Sequence, residues 1–552
     1  MLRLVASAAA GCVLLLSAAV HAQEKAAPET LSSEAALGGH GRILLVLPFD
    51  NRTGQISLDW MREAAVDLLN SRFSSAGFAP LSREDRMYAL DHLGLPQGFQ
   101  PSRASAIKLA QTLDADEIVL GSVSMSGADL VAEAQLVDVP HLRMTGPVTE
   151  RGKLTDMAAI FDSLAWELTK KLDPAFNVAE STFVAAGAGL RLDAFEQYVR
   201  GITEPDQAER LRHLEAAVKL SPDFSPAWMA LGREYYSTQQ YDKAAAAFAK
   251  VDQSGQDGLE AGFYRGLSLL YSGEYQGAEQ SFADVARVLP LAEVLNNEGV
   301  AASRQGHDGT SLFVRATAAD PNTADYHFNL AVSLKRHGSA GAAVSEMTEC
   351  LKLHPGDSEA QSLLAAWKSG AAPAVKQAAA TTMNAPSEVE DTNPDPLERI
   401  VRSFDAAAFR QAGAVVDQMD AARLAALPRP ERARKLSAEG NDYLHRGLVL
   451  EAERLYQSAI AADANSAPAH AGLAEVRRRT GDTADARQEA NQALKLDPSA
   501  DAYVVLSRLD LAAGNLSAAA SEAGEALKLA PTNPAAQQLS QEITARQGTK
   551  KE

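Results

Sequence analysis

Five side chains in the middle of the chain, Arg233, Asn296, Asn297, Asn329 and Arg336, are of types that recognise peptides. Paired Asn and Arg residues can bind the backbone or the carboxylate of an extended chain. Tyr236, and further on Asn441, Arg478 and Arg508, are candidates of the same kind. Covalent chemistry has no comparable support. There is no His-Glu-x-x-His pattern and no zinc-spaced pair of Cys or His. No phosphate-binding Gly-x-x-x-x-Gly-Lys-Ser/Thr loop occurs either. Gly187-Ala188-Gly189 opens something like a dinucleotide fingerprint, but Leu192 stands where the third Gly belongs. Gly266-Leu267-Ser268 resembles half a nucleophile elbow, with Leu270 in place of its last Gly. The expectation is a non-enzyme without metal or cofactor, whose partners are proteins or peptides.

The elements that position these residues must come from several domains. A chain of 552 residues is too long for one hydrophobic core. Hydrophobic residues make up 46%, which predicts that most of it folds, and the low aromatic share of 6% favours closely packed helices over an aromatic-rich sandwich. The formal net charge of -19 repels nucleic-acid phosphates. The longest basic cluster, Arg477-Arg478-Arg479, falls at a predicted helix end, where the dipole favours cations. Nucleic acid is therefore not an expected partner.

Residues 1–22 read as a signal peptide. Arg3 begins it, an apolar stretch ends in Leu14, Leu15 and Leu16, and Val20-His21-Ala22 predicts cleavage after Ala22. Cys12 follows Ala-Ala-Gly as in a lipoprotein box, but the strongest apolar run lies after it, where a lipid-modified chain turns polar. Export to the periplasm as a soluble chain is the expectation, with no transmembrane segment in the mature chain. Only Cys350 then remains, so no internal disulfide forms. Its place in a helical pattern predicts core packing.

Residues 23–41 read as a linker and 42–175 as a small α/β domain. Ile43–Leu47 is an apolar run closed by Pro48, a strand buried on both faces. Asp50, Asn51 and Gly54 supply turn chemistry. Helical spacing runs from Asp59 to about Ala76, and Gly77 stops it. A strand is predicted near 78–81, helices over 83–93 and 103–113, and a strand over 117–123. Ser126–Asp129 makes a hairpin turn into a strand over 130–139, on which Glu133 and Gln135 share the wetter face. A helix over 157–171 closes the domain. The stretches "ILLVLPFDNRTG" and "AIKLAQTLDADEIVLGSVSMSGADLVAEAQLVDV" resemble the TolB-like amino-terminal domain over about residues 42–172. That resemblance implies a protein-contact module and transfers no catalytic residue.

From residue 193 a period of 34 sets in. The unit at Ser225 places Trp228, Leu231, Gly232, Tyr235, Ala244, Phe248 and Val251 at positions 4, 7, 8, 11, 20, 24 and 27. Small residues at 8 and 20 let two antiparallel helices approach, large ones fill the gaps, and Pro at 32 ends the pair. Further units centre on Gly266, on Gly299 (with a turn two residues shorter) and on Ala331, with Cys350 in a small buried position. A lone helix over 358–367 caps the stack. This first array spans 193–367, and 368–395 reads as a flexible linker. Residues 397–426 read as helical again, within a second array over 396–547 that carries Gly440, Ala474 and Ala519 in register. The pattern resembles the tetratricopeptide family. Stacked repeats of this kind make a superhelix whose concave face is lined by the first helix of each pair. Non-signature positions there include Met229, Arg233, Tyr236, Phe263, Asn296, Asn297, Phe328, Asn329, Arg336, Asn441, Glu475, Arg478 and Arg508. The full Lys-Asn-Asn-Lys-Arg clamp of chaperone-tail-binding relatives is not reproduced, since Met229 stands at position 5 of its unit.

The fold class expected is therefore multidomain: a small α/β domain with a mixed sheet and helices, followed by all-α solenoids. The function expected is a non-catalytic exported interaction scaffold of the bacterial envelope. Two other readings stand beside it. One is a small-ligand sensor, which needs a deep polar pocket in residues 42–172. The other is a hydrolase assembled in space from a Ser or Asp near a His.

Overall fold

A computed structural model describes residues 41–96, 98, 102–252, 256–369, 396–402, 419 and 421–549. The predicted signal peptide with Cys12, nearly all of the linker 23–41 and most of the linker 368–395 lie outside the described residues.

The amino-terminal domain is a seven-stranded mixed sheet. Its strands are β1 (Ile43–Val46), β2 (Asp50–Asn51), β3 (Ala79–Pro80), β4 (Glu117–Ser126), β5 (Asp129–Asp138), β6 (Arg143–Met144) and β7 (Val148–Lys153). The order is β3-β1-β4-β5-β6, with β2 also on β4 and β7 also on β5. β1 runs parallel to β3 and β4, whereas β4 and β5 form an antiparallel hairpin. Period-two alternation splits β1 between two cores. Leu44 and Val46 face helices α1 (Met61–Ser75) and α4 (Met157–Leu172). Leu45 faces α2 (Arg83–His92) and α3 (Arg103–Thr112) on the other side. On β5, Glu133 and Gln135 alternate with buried Ala132, Ala134 and Leu136, as the pattern required. Three strands went unread, among them the two-residue β6. Asp50–Asn51, taken as turn, pairs with Ser122–Val123, and polar Val148–Lys153 pairs with β5 as an edge strand. None of the three carries enough apolar residues to announce itself.

The rest of the described chain is helical hairpins. After the short helix α5 (Glu180–Ala186), the first array comprises α6 (Leu192–Thr203), α7 (Gln207–Leu220), α8 (Ser225–Ser237), α9 (Tyr241–Phe248), α10 (Gln256–Ser272), α11 (Tyr275–Val288), α12 (Ala292–Arg304), α13 (Thr310–Ala319), α14 (Ala324–Arg336), α15 (Ala340–Leu353) and α16 (Ser358–Ser369). The second array comprises α17 (Arg429–His445), α18 (Val449–Ala462), α19 (Ala467–Arg479), α20 (Thr483–Leu496), α21 (Ala500–Ala512), α22 (Leu516–Leu529) and α23 (Pro534–Thr549). The reason for glycine at repeat position 8 is an aromatic ring. A Cβ on Gly232, Gly266 or Gly299 would lie 2.6, 2.7 and 2.8 Å from the rings of Phe248, Phe282 and Phe313. Cys350 is fully buried, and burial pushes its thiol up to about 11, so it packs rather than reacts.

Position 4 has a second use that its apolar reading missed. The side-chain nitrogen there donates to the carbonyl six residues back, in the turn between units. Trp228 Nε1 reaches Pro222 O at 2.8 Å, and Gln361 and Gln537 reach the carbonyls of Pro355 and Pro531. His327 and His470 do the same through Nε2, while Nδ1 meets Glu346 and Glu489. With an acceptor at each ring nitrogen, the hydrogen bond to Glu489 raises the pKa of His470.

The second array turns back onto the α/β domain and packs on α5 rather than extending the stack from α16. Glu453 of α18, fully buried, accepts from the amide of Ala179 and from the hydroxyl of Thr182 at the start of α5. Arg477 closes on the same carboxylate at 2.7 Å. Arg454 donates to Ser75 O at 2.6 Å and Gln457 to Asn177 O at 3.1 Å.

Candidate peptide groove

The stretch Pro396–Arg402 departs from the helical reading of residues 397–426. It is extended, its backbone lies across α12 and α14, and the Arg399 side chain reaches Glu359 at the start of α16. Helical regularity resumes by 421–425, and 403–418 lie outside the described residues. Apolar Leu397, Ile400 and Val401 have helical spacing, but the backbone groups here find side-chain partners instead of one another.

Those partners are the asparagines singled out from sequence. Asn297 of α12 donates to Val401 O at 2.8 Å and accepts from Val401 N at 3.0 Å. Asn329 of α14 accepts from Arg399 N at 2.6 Å and donates to Arg399 O at 2.8 Å. Each carboxamide thus pairs with both polar groups of one residue, as a neighbouring strand would. Asn297 and Asn329 occupy the same position, the sixth, of consecutive units, and they hold alternate residues of the extended chain. Alternate residues present the same edge about 6.6 Å apart, which lets successive repeats read them. Asn296 locks the set: it donates to Arg399 O at 3.1 Å and to Asn297 at 3.2 Å, and accepts from Asn329 at 2.8 Å. All three asparagines are fully buried.

The side chains of the stretch are held as well. Glu398 is buried and paired with Arg336, which also donates to Ser303 Oγ at 2.6 Å and to Pro396 O at 3.4 Å. Arg304 donates to Glu398 O at 3.3 Å. Arg399 lies 3.6 Å above the Phe328 ring and meets Asp325 at 2.9 Å, Asp357 at 2.6 Å and Glu359 at 2.9 Å. Ile400 and Val401 lie against the apolar cluster around Phe263, Leu295 and Tyr326.

The other candidates are elsewhere. Arg233 bridges Glu84 of the α/β domain (3.0 Å) and Glu260 of α10 (2.6 Å), an interdomain strut. Tyr236 is packed among Tyr241, Tyr264 and Tyr271, edge-on to the first two and tilted to the third. Met229 and Phe263 are core residues. In the second array Asn441 accepts from the Tyr456 hydroxyl at 2.7 Å, and Arg478, Arg479 and Arg508 converge on Glu475. Position 6 there holds Ala438, Gly472 and Val505, so that array carries no asparagine ladder. Sequence reasoning missed Ser303, Arg304, Asp325, Asp357 and Glu359. A usable signal existed for one: Arg304 and Arg336 share position 13 of consecutive units.

In the α/β domain an open depression is lined by Gln111, Asp114, Ala115, Val139, Pro140 and Leu142. Among the described residues, no group of three or more His, Cys, Asp or Glu is placed to hold a metal ion, and no helix is long and apolar enough to cross a membrane.

Residues 206–258, 437–501 and 472–534 match the model of a family described as tetratricopeptide repeat. No curated protein matches the chain. Among solved structures, the chain is similar to YrrB, described as a TPR protein with an unusual peptide-binding site: 17% identity, 37% of this chain, 97% of that one, TM-score 0.28. A MamA from Desulfovibrio magneticus RS-1 is 19% identical over 31% of this chain and 99% of its own, TM-score 0.28. The LpoB C-terminal domain from Salmonella enterica is 20% identical over 21% and 84%, TM-score 0.18.

Proposed function

For a chain that carries tetratricopeptide repeats in both of its arrays, we propose a non-catalytic, exported interaction scaffold whose first array binds an extended segment of a partner protein. The observation that carries this reading is the ladder of Asn296, Asn297 and Asn329, which pairs with the backbone of alternate residues of an extended chain. Such pairing is indifferent to side chains and supplies affinity; flanking charged groups supply choice. The TolB-like domain serves in this reading as a mount. Its resemblance lies in the Pro-Phe strand end and the "ADEIVLGSV" hairpin, and both arrays rest on it, through Arg233 and Arg454. The sensor reading gains no support from the depression at Gln111, which is open and presents one carboxylate.

The groove is tested with Asn329→Ala. In a chain whose own residues 396–402 are replaced by glycine and serine, so that the groove stands empty, this substitution removes two hydrogen bonds to the bound backbone, each worth about 1 kcal/mol net, and affinity for a peptide with the sequence of residues 396–402 should fall roughly thirtyfold. Unchanged affinity in a titration calorimeter would remove the ladder from the binding account. Export is supported by the apolar stretch before Ala22. Amino-terminal sequencing of the cell-associated protein should begin at Gln23, and an intact Met1 would end that part of the proposal.

A further inference from the structure

Resting on the peptide-groove reading, we propose that the groove selects segments in which an acidic residue precedes an arginine and two aliphatic residues, and that residues 396–402 are a resident occupant that such a partner segment displaces.

The selectivity follows from what faces each side chain of the resident stretch. Three carboxylates, Asp325, Asp357 and Glu359, converge on one guanidinium beneath which the Phe328 ring lies. Without a cation those carboxylates repel one another, and a planar, fork-shaped cation with a stacking face satisfies all four groups at once. Lysine offers a point charge and no plane. The preceding position meets the opposite sign: Arg336, with Ser303 beside it, pairs with the buried Glu398 carboxylate. Aliphatic side chains follow on the apolar wall. Leu397 is 51% exposed, so that position is free to vary. A segment with the two charges exchanged would place like beside like at both sites.

Exchange is favoured by how the resident stretch is held. It contributes none of the buried apolar core, and Arg399 and Arg336 both keep solvent contact. Its grip is the asparagine ladder, two ion-pair sites and the half-buried Ile400 and Val401 on the apolar wall, all available to any segment of the same pattern. As part of the same chain, it competes at an effective concentration on the order of millimolar. A partner segment therefore sees its affinity reduced by the fraction of time the groove stands open. Releasing the resident restores the intrinsic affinity.

The experiment uses the full mature chain and a fluorescein-labelled synthetic peptide with the sequence of residues 396–402, followed by anisotropy. In the protein variant Arg399→Glu the resident stretch meets three carboxylates with a fourth and leaves the groove. This variant should bind the labelled peptide at least about tenfold more tightly than wild type. A peptide in which Glu replaces the arginine corresponding to Arg399 should bind at least about tenfold more weakly to both. Equal affinity of wild type and Arg399→Glu would overturn the exchange and leave the groove reading standing. Equal binding of the two peptides would overturn the arginine selectivity. A natively folded Arg399→Glu that takes up neither peptide would sink the groove reading itself. Glu398→Arg, which turns the other ion pair into a repulsion with Arg336, supplies the same comparison if Arg399→Glu does not fold.

Discussion

Glu453→Ala is expected to release the second array from the α/β domain at a cost of about 3 kcal/mol, and to split one unfolding transition into two. Glu453 is the single fully buried carboxylate of that seam among the described residues. It holds the Ala179 amide, the Thr182 hydroxyl and Arg477 together. Burial pushes its carboxyl up, and the Arg477 guanidinium opposes that rise. Removing the acid leaves the start of α5 without its acceptor and strands Arg477, only 10% exposed, near Asp482 at 4.0 Å. The cost lies at the low end of the range for broken buried pairs because Asp482 takes up part of the charge. Glu453→Gln keeps the acceptor but not the charge, so it should fall between. Urea unfolding followed by far-ultraviolet dichroism decides the matter. A single transition with an unmoved midpoint in Glu453→Ala would show that the array is seated by its apolar contacts alone.

Gly472→Val is expected to destabilise the second array by about 3 kcal/mol through overpacking. A Cβ at residue 472 would sit 2.2 Å from the Tyr456 ring, a distance no side-chain carbon tolerates. Tyr456 is itself wedged against Gly440, where a Cβ would come within 2.9 Å, so the ring has no slot to retreat into. Its hydroxyl bond to Asn441 would be lost when it moves. The double variant Gly472→Val/Tyr456→Ala should recover part of the loss, since the truncated ring makes room for the new side chain. Additive effects in that cycle, measured by thermal unfolding, would place the strain of Gly472→Val somewhere other than the ring. The same clash explains why the sixth position of this unit is glycine where the units of α12 and α14 have Asn297 and Asn329. Tyr456 fills the space that a groove-facing side chain would need.

The chemistry of the groove follows the same separation between local pattern and three-dimensional arrangement. Periodicity of 34, small residues at position 8 and Pro at 32 made helical pairs legible one unit at a time, because each rule acts between residues close in sequence. The alternation of Glu133 and Gln135 with Ala132 and Leu136 likewise made the wetter face of β5 legible. Register alone also placed Asn296, Asn297, Asn329 and Arg336 on the first helices of their pairs, since helical phase fixes which face a residue occupies.

What tertiary structure decided was who meets whom. Arg233 and Arg336 are both arginines on the first helix of a pair, yet one braces a domain seam at Glu84 and the other holds Glu398. Nothing local distinguishes them, because their partners lie 149 and 62 residues away. Residues 396–402 show the point most directly. Their apolar spacing fits a helix, and an isolated short segment has little else to express. In the folded chain, asparagines brought together from two repeats offer the backbone N–H and C=O of Arg399 and Val401 a partner, and three carboxylates gather around Arg399. The sequence determined the repeats and the face on which binding groups stand. The assembled superhelix decided that this stretch is extended, because only there do its backbone and its charges find their partners at once.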